Sequence, residues 1–113
     1  MATYTTAALV RKRAENLDAT LTDADINAYI ETAEAMLNAL MGISFVSTFT
    51  LAKHGVLRAA AEAWATMGAI AYNPAGFTSL SEVTTIQELL AFQWEESLKL
   101  LNNKSVIAYM ESL

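Results

Sequence analysis

Residues 56–72, VLRAAAEAWATMGAIAY, form the stretch that decides the fold of this chain. Its charged residues and its threonine, Arg58, Glu62 and Thr66, recur at every fourth position, so on a helix they form one thin polar stripe. The remaining helical surface is apolar nearly all round, which predicts a central helix enclosed by other protein. On this central helix we expect one line of core residues, namely Leu57, Ala61, Trp64, Gly68 and Ala71.

The length and composition predict one domain with more apolar surface than a monomer needs. At 113 residues the chain can bury one core and is too short for two. Its apolar fraction is 54% and its charged fraction is 17%, which is well below that of a typical soluble domain. We therefore expect self-association or a partner protein, although a small alanine-rich helical domain can reach this composition alone.

Capping signals predict an all-α fold, a compact bundle of about four helices with a short C-terminal tail or helix. Thr5 or Thr6 can cap a first helix that runs through Ala14. The second helix begins at the capping box Thr22–Asp25 and ends at Gly42, which suits a left-handed residue. Steps of four and three define its two faces: the core face has Ile26, Ile30, Ala33, Leu37 and Leu40, and the wet face has Asn27, Glu31, Glu34 and Asn38.

The third helix is bounded by a break on one side and a proline on the other. Residues 43–50 are rich in β-branched and aromatic side chains without a helical period, so they form a break or a short extended arm. Thr48 or Thr50 can then cap the third helix. Asn73-Pro74 ends it, because the residue before a proline is pushed out of helical geometry.

The fourth helix begins at the Ser79 or the Thr85 capping box and runs to about Asn102. Ser105 can cap a last segment, which is too short for a helix that is stable alone in water. The chain therefore divides into a helical domain and a tail, residues 1–104 and 105–113.

The titratable residues favour neither a catalytic site nor a metal site. His54 is the only histidine, no carboxylate lies three or four positions from it, and we expect it to be partly exposed in the first turn of the third helix. There is no cysteine, and Glu95 and Glu96 suit a solvated helix face that is ion-paired to Lys99. We predict no enzymatic activity and no cofactor.

The charge and hydropathy argue against two classes of partner, nucleic acids and membranes. The net charge is −5, and the one basic cluster, residues 11–13, is too small to grip nucleic acid. The longest apolar run falls far short of the ~20 residues that a membrane span requires, and no secretory leader is visible. We expect no membrane partner.

Aromatic residues supply the candidates for contact with another subunit. Phe92 shares a helical stripe with Glu88, Glu95 and Lys99, which should face water. It is either an interface anchor or a side chain that a curved helix tucks into the body. We take three residues as possible inter-subunit contacts, namely Phe92, Phe45 and Phe49.

The order of these elements resembles the small head–tail connector, or adaptor, proteins of long-tailed bacteriophages. The similarity spans most of the chain and lies in the arrangement of its parts, without an invariant chemical motif. The matching pieces are a Tyr4-Thr5-Thr6 start, the acidic opening Leu21–Ile26 with Ile30, Ala33, Glu34 and Leu37 after it, the alanine-rich stretch Leu57–Trp64, a closing helix and a short tail.

This resemblance implies a virion protein that is assembled in the host cytoplasm as a ring, commonly of twelve copies. The ring would join the capsid portal to the stopper or tail, and DNA would pass through its channel without specific binding. The C-terminal segment would reach toward the portal, with the docking residues Val106, Ile107, Tyr109, Met110 and Leu113. The alternative that the residues leave open is a small helical protein-binding module or regulator.

Overall fold

The computed structural model describes residues 4–13, 20–72 and 80–111, and within these residues it contains five α-helices and no strand. This confirms the predicted all-α fold and its short last helix. The helices are α1 (Ala7–Arg13), α2 (Asp23–Met41), α3 (Leu51–Tyr72), α4 (Leu80–Leu101) and α5 (Lys104–Glu111). No helix in the described part of the chain is sufficiently long and apolar to span a bilayer.

Local capping explains where the first two helices begin and end. The Thr6 hydroxyl accepts a hydrogen bond from the Leu9 N–H at the start of α1. At the start of α2, the Thr22 hydroxyl accepts from the Asp25 N–H and the Asp25 carboxylate accepts from the Thr22 N–H, which confirms the predicted capping box. Gly42 ends α2 with φ of 72°, in the left-handed region that glycine adopts without strain.

The centre of the molecule is α3, which packs against α2 on one side and α4 on the other. Leu57, Ala60 and Ala61 are fully buried, and the short alanine side chains let the neighbouring helices approach closely. Closer to the end of α3, Gly68 faces the ring of Tyr29, and a Cβ atom at Gly68 would lie 2.9 Å from that ring. The apolar sequence of α3 therefore produces a helix that other helices surround over most of its length.

The breaks between α2 and α3 and between α4 and α5 follow the expectations, and only the cap of α5 differs. Residues 43–50 form turns and irregular chain without a strand, and α3 then begins at Leu51 with a kink at His54. The fourth helix ends before Asn102 as expected, but Asn103 rather than Ser105 caps α5, since the Asn103 side-chain oxygen accepts from the Ser105 N–H at 2.8 Å.

Two residues of α2 lie on unexpected sides. Leu40 is 43% exposed, whereas Glu34 is buried. The expectation was wrong for both residues. Ile26, Ile30 and Glu34 follow one another at steps of four along the core face, and Leu40 does not fall on these steps.

Candidate functional site

Tyr4 is the centre of a buried hydrogen-bond cluster that ties the start of the described chain to three other segments. Its backbone N–H donates to Glu34 Oε2 at 2.7 Å, and Arg58 Nε donates to its carbonyl oxygen at 2.9 Å. Its hydroxyl donates to Asn38 Oδ1 at 2.6 Å and accepts from the Phe45 N–H at 3.0 Å. One residue thereby anchors α2, α3 and the segment before α3.

The environment of Tyr4 keeps its hydroxyl protonated. Burial raises the pKa of Tyr4, because the phenolate would lose its hydration, and the nearby charge of Glu34 acts in the same direction. The hydrogen bond from the Phe45 N–H lowers the pKa, but it offsets only part of this rise. The Tyr4 hydroxyl is therefore a structural donor and acceptor at neutral pH.

The two phenylalanines that the sequence suggested as inter-subunit contacts, Phe45 and Phe49, both pack beside this cluster. Phe45 is only 3% exposed, and its ring centroid lies 4.6 Å from that of His54. Phe49 is half-buried. Its ring centroid lies 5.6 Å from the ring centroid of Tyr4 and 5.2 Å from the guanidinium carbon of Arg58. Phe45 is thus a core residue of its own chain, and the Phe49 ring lies between side chains of its own chain.

His54 joins the start of α3 to the last turn of α5. Its Nδ1 accepts a hydrogen bond from the Thr50 N–H at 2.9 Å. Because a backbone N–H can only donate, Nδ1 is the unprotonated nitrogen, and Nε2–H donates to the carbonyl oxygen of Met110 at 2.9 Å. The expectation that His54 is partly exposed was wrong, because the short helix α5 covers it.

The residues expected to dock on a portal occupy several different environments. Met110 is buried to 2% exposure in the core, which makes it part of the body in this conformation. Val106 and Ile107 are half-buried against the same core, and Tyr109 is 57% exposed. Leu113 lies outside the described residues.

Two clefts lie beside α5. A cleft of about 480 Å³ lies where Met110 meets His54, and a second cleft of about 520 Å³ lies between Met41 and Ile107. We use the name α5 slot for the part of the body against which Met110 packs, namely His54, whose Nε2 bonds the Met110 carbonyl, and the core cluster that contains both Phe45 and Met110.

The outward side of α4 carries three large apolar side chains in contact with solvent. Leu89 and Phe92 are each 60% exposed, and Leu100 is 53% exposed; we call these three residues the α4 face. The Phe92 side chain is therefore exposed and is not tucked into the body of its own chain. The nearby ion pair joins Lys99 Nζ to Glu96 at 3.1 Å, rather than to Glu95 as the sequence suggested.

A second apolar surface is a groove of about 680 Å³ where α2, α3 and α4 meet. Part of the expected core line of α3 lies in this groove rather than in the core. Gly68 and Trp64 are half-buried there and Ala71 is exposed, whereas Leu57 and Ala61 are fully buried. The line leaves the core because these residues lie toward the end of α3, where its side faces the open groove.

The described residues contain no group of three histidine, aspartate or glutamate side chains placed to hold a metal ion. The sequence patterns did not identify Tyr4, Glu34 and His54 as a polar core, although two of them carried a signal. Glu34 lies four residues after Ile30, and His54 lies three before Leu57, so both fall on core stripes.

No protein-family model matches the chain, and no curated protein or solved structure matches it significantly.

Proposed function

We propose that this chain is a structural assembly protein that joins copies of itself through helix surfaces. The observation that carries this proposal is the α4 face, on which Leu89, Phe92 and Leu100 are each more than half exposed along one helix. Large apolar side chains grouped on one surface are typical of protein contact sites, and aromatic anchors contribute most of the binding energy in such sites.

More specifically, we propose a head–tail connector, a ring in the virion between the capsid portal and the stopper or tail. The support for this step is the arrangement of elements that resembles that family, together with the net charge of −5. An acidic lumen offers few contacts that release counterions from DNA, so packaged DNA would pass without specific binding. Tyr109, which is 57% exposed on α5, is the described residue best placed to meet the portal.

Mass measurement in solution tests the proposal. We expect the wild-type chain to form a cyclic oligomer as its concentration rises, or to assemble when the portal protein is added. Phe92→Ser should weaken self-association by about 100-fold, and Leu89→Ser by about tenfold.

Leu51→Ser is the matched control, because Leu51 is 59% exposed but belongs to the start of α3. This control should assemble like the wild type. Equal losses in Leu51→Ser and Leu89→Ser would mean that the α4 face is not the contact, and a chain that stays monomeric with portal present would overturn the assembly role.

The groove between α2, α3 and α4 favours a second candidate, a protein-binding module that accepts an amphipathic helix. Ala71 and Ala91 line the groove, so Ala71→Arg should block a helix there without touching the α4 face. A monomer that binds helical peptides and loses them in Ala71→Arg would support the binding module over the ring.

A further inference from the structure

The helix α5 depends on the rest of the protein for its stability. It has eight residues, whereas isolated helices shorter than ~12–15 residues are marginal in water. Its deepest attachments are the buried Met110 side chain and the hydrogen bond from His54 to the Met110 carbonyl. Clefts of about 480 Å³ and 520 Å³ lie beside α5, and Val106 and Ile107 are only half-buried against the core.

The connection between α4 and α5 is a two-residue hinge. Asn102 and Asn103 are both exposed, and they separate the buried Leu101 from Lys104, the first residue of α5. The hinge is already half helical, since the Asn102 N–H donates to the Leu98 carbonyl at 3.0 Å. The Asn103 N–H donates instead to the Leu100 carbonyl, three residues earlier, at 3.1 Å, so the α-helical pattern of α4 breaks at Asn103.

A continuous helix would place α5 in register with the α4 face. Leu89, Phe92 and Leu100 are followed by Ile107 and Met110 at intervals of seven and three residues. Steps built from threes and fours keep side chains on one helical stripe. In a straight helix the buried Met110 would thus lie at the end of the exposed stripe that contains Phe92.

We propose that α5 is exchanged between copies of this chain, with the hinge straightened and Met110 of one copy seated in the α5 slot of its neighbour. The slot fits this occupant, because the same side chain and the same carbonyl fill it within one chain. Each copy withdraws α5 from its own slot and receives an identical α5 from the next copy, and the α4 face gains cover from the same neighbour. This inference rests on the self-association in the proposed function.

Lys104 provides a matched pair of variants. Proline is tolerated at the first residue of a helix, so Lys104→Pro should keep α5 in its slot. The same proline inside a continuous helix removes a hydrogen bond and clashes with the carbonyl four residues earlier, at Leu100. Lys104→Ala removes the same charge and permits either form.

Sedimentation equilibrium of the full chain then separates the outcomes. We expect Lys104→Pro to weaken self-association by about 100-fold and Lys104→Ala to leave it unchanged. The double variant Asn102→Ala with Asn103→Ala should act in the opposite direction and strengthen it by about tenfold, because alanine favours the helix and the cap of α5 is removed. Circular dichroism of Lys104→Pro and Lys104→Ala should show the same helical content, which checks that α5 still folds.

Wild-type oligomers that survive unchanged in both Lys104→Pro and the double alanine variant would overturn the exchange and leave the assembly role intact. A wild-type chain that is monomeric in every condition would overturn the assembly role itself. If Lys104→Pro loses helical content, the double alanine variant decides alone, and its failure to strengthen association would count against the exchange.

Discussion

Tyr4→Phe tests the buried cluster that ties the start of the described chain to α2, α3 and the segment before α3. The variant keeps the buried ring and removes only the hydroxyl, which donates to Asn38 at 2.6 Å and accepts from the Phe45 N–H at 3.0 Å. Asn38 is half-buried and can be hydrated in the variant, so losing that bond should cost about 0.5–1 kcal/mol.

The Phe45 N–H cannot be hydrated in this way, because Phe45 is buried beside Tyr4. A buried donor without an acceptor costs about 1–3 kcal/mol, so we expect Tyr4→Phe to lower the free energy of unfolding by about 2–3 kcal/mol. For a domain of this size that loss corresponds to roughly 10 °C in Tm. Urea unfolding followed by circular dichroism measures it directly.

Tyr29→Phe is the control, since the Tyr29 hydroxyl makes no hydrogen bond within the described residues. It should change the free energy of unfolding by less than about 0.5 kcal/mol. If Tyr4→Phe is as stable as Tyr29→Phe, the hydrogen bonds of the Tyr4 hydroxyl do not hold the fold.

The pH dependence gives the same residue a second test. Burial raises the pKa of Tyr4 above its ordinary value of 10.0, so the unfolded chain ionises this phenol before the folded chain does. Between these two pKa values the folded state binds more protons, and stability falls as the pH rises. The wild type should therefore lose part of its advantage over Tyr4→Phe above pH 10, and a constant advantage across that range would refute the effect of burial.

Other predictions concern packing within the fold. Gly68→Ala should destabilise the protein by about 1 kcal/mol, because its Cβ would lie 2.9 Å from the Tyr29 ring and the clash exceeds the gain in helix propensity. Gly55→Ala, which meets only Leu51 at 3.9 Å, should stabilise it by about 0.5–1 kcal/mol in the same thermal melts. Glu34→Ala should cost about 1–3 kcal/mol by leaving a buried N–H without its acceptor, and Glu34→Gln should cost less in urea titrations because an oxygen remains.

Helix positions and caps could be predicted because their signals are local. The Thr22 capping box and the left-handed Gly42 each involve only a few neighbouring residues, and they mark where α2 begins and ends. The alanine-rich stretch of α3 likewise predicted a surrounded helix, since no other arrangement buries so much of its surface.

The polar cluster and the ends of the core could not be predicted in the same way. The sequence patterns predict Glu34 on the wet face of α2 and a partly exposed His54, whereas hydrogen bonds with Tyr4 and Met110 satisfy their polar atoms and allow burial. These partners are separated from them by 30 and 56 residues, so no local pattern shows the pairing. The position of Ala71 in a groove likewise depends on how far the neighbouring helices extend beside α3.

The proposed assembly requires above all that other protein buries the α4 face in the working state. Analytical ultracentrifugation of the wild type beside Phe92→Ser, with and without portal protein, measures this requirement most directly. We predict a wild-type species of many times the 12.3 kDa chain mass and a Phe92→Ser sample dominated by the single chain. A wild type that sediments as a 12.3 kDa monomer at every concentration, alone and with portal, would contradict the assembly role.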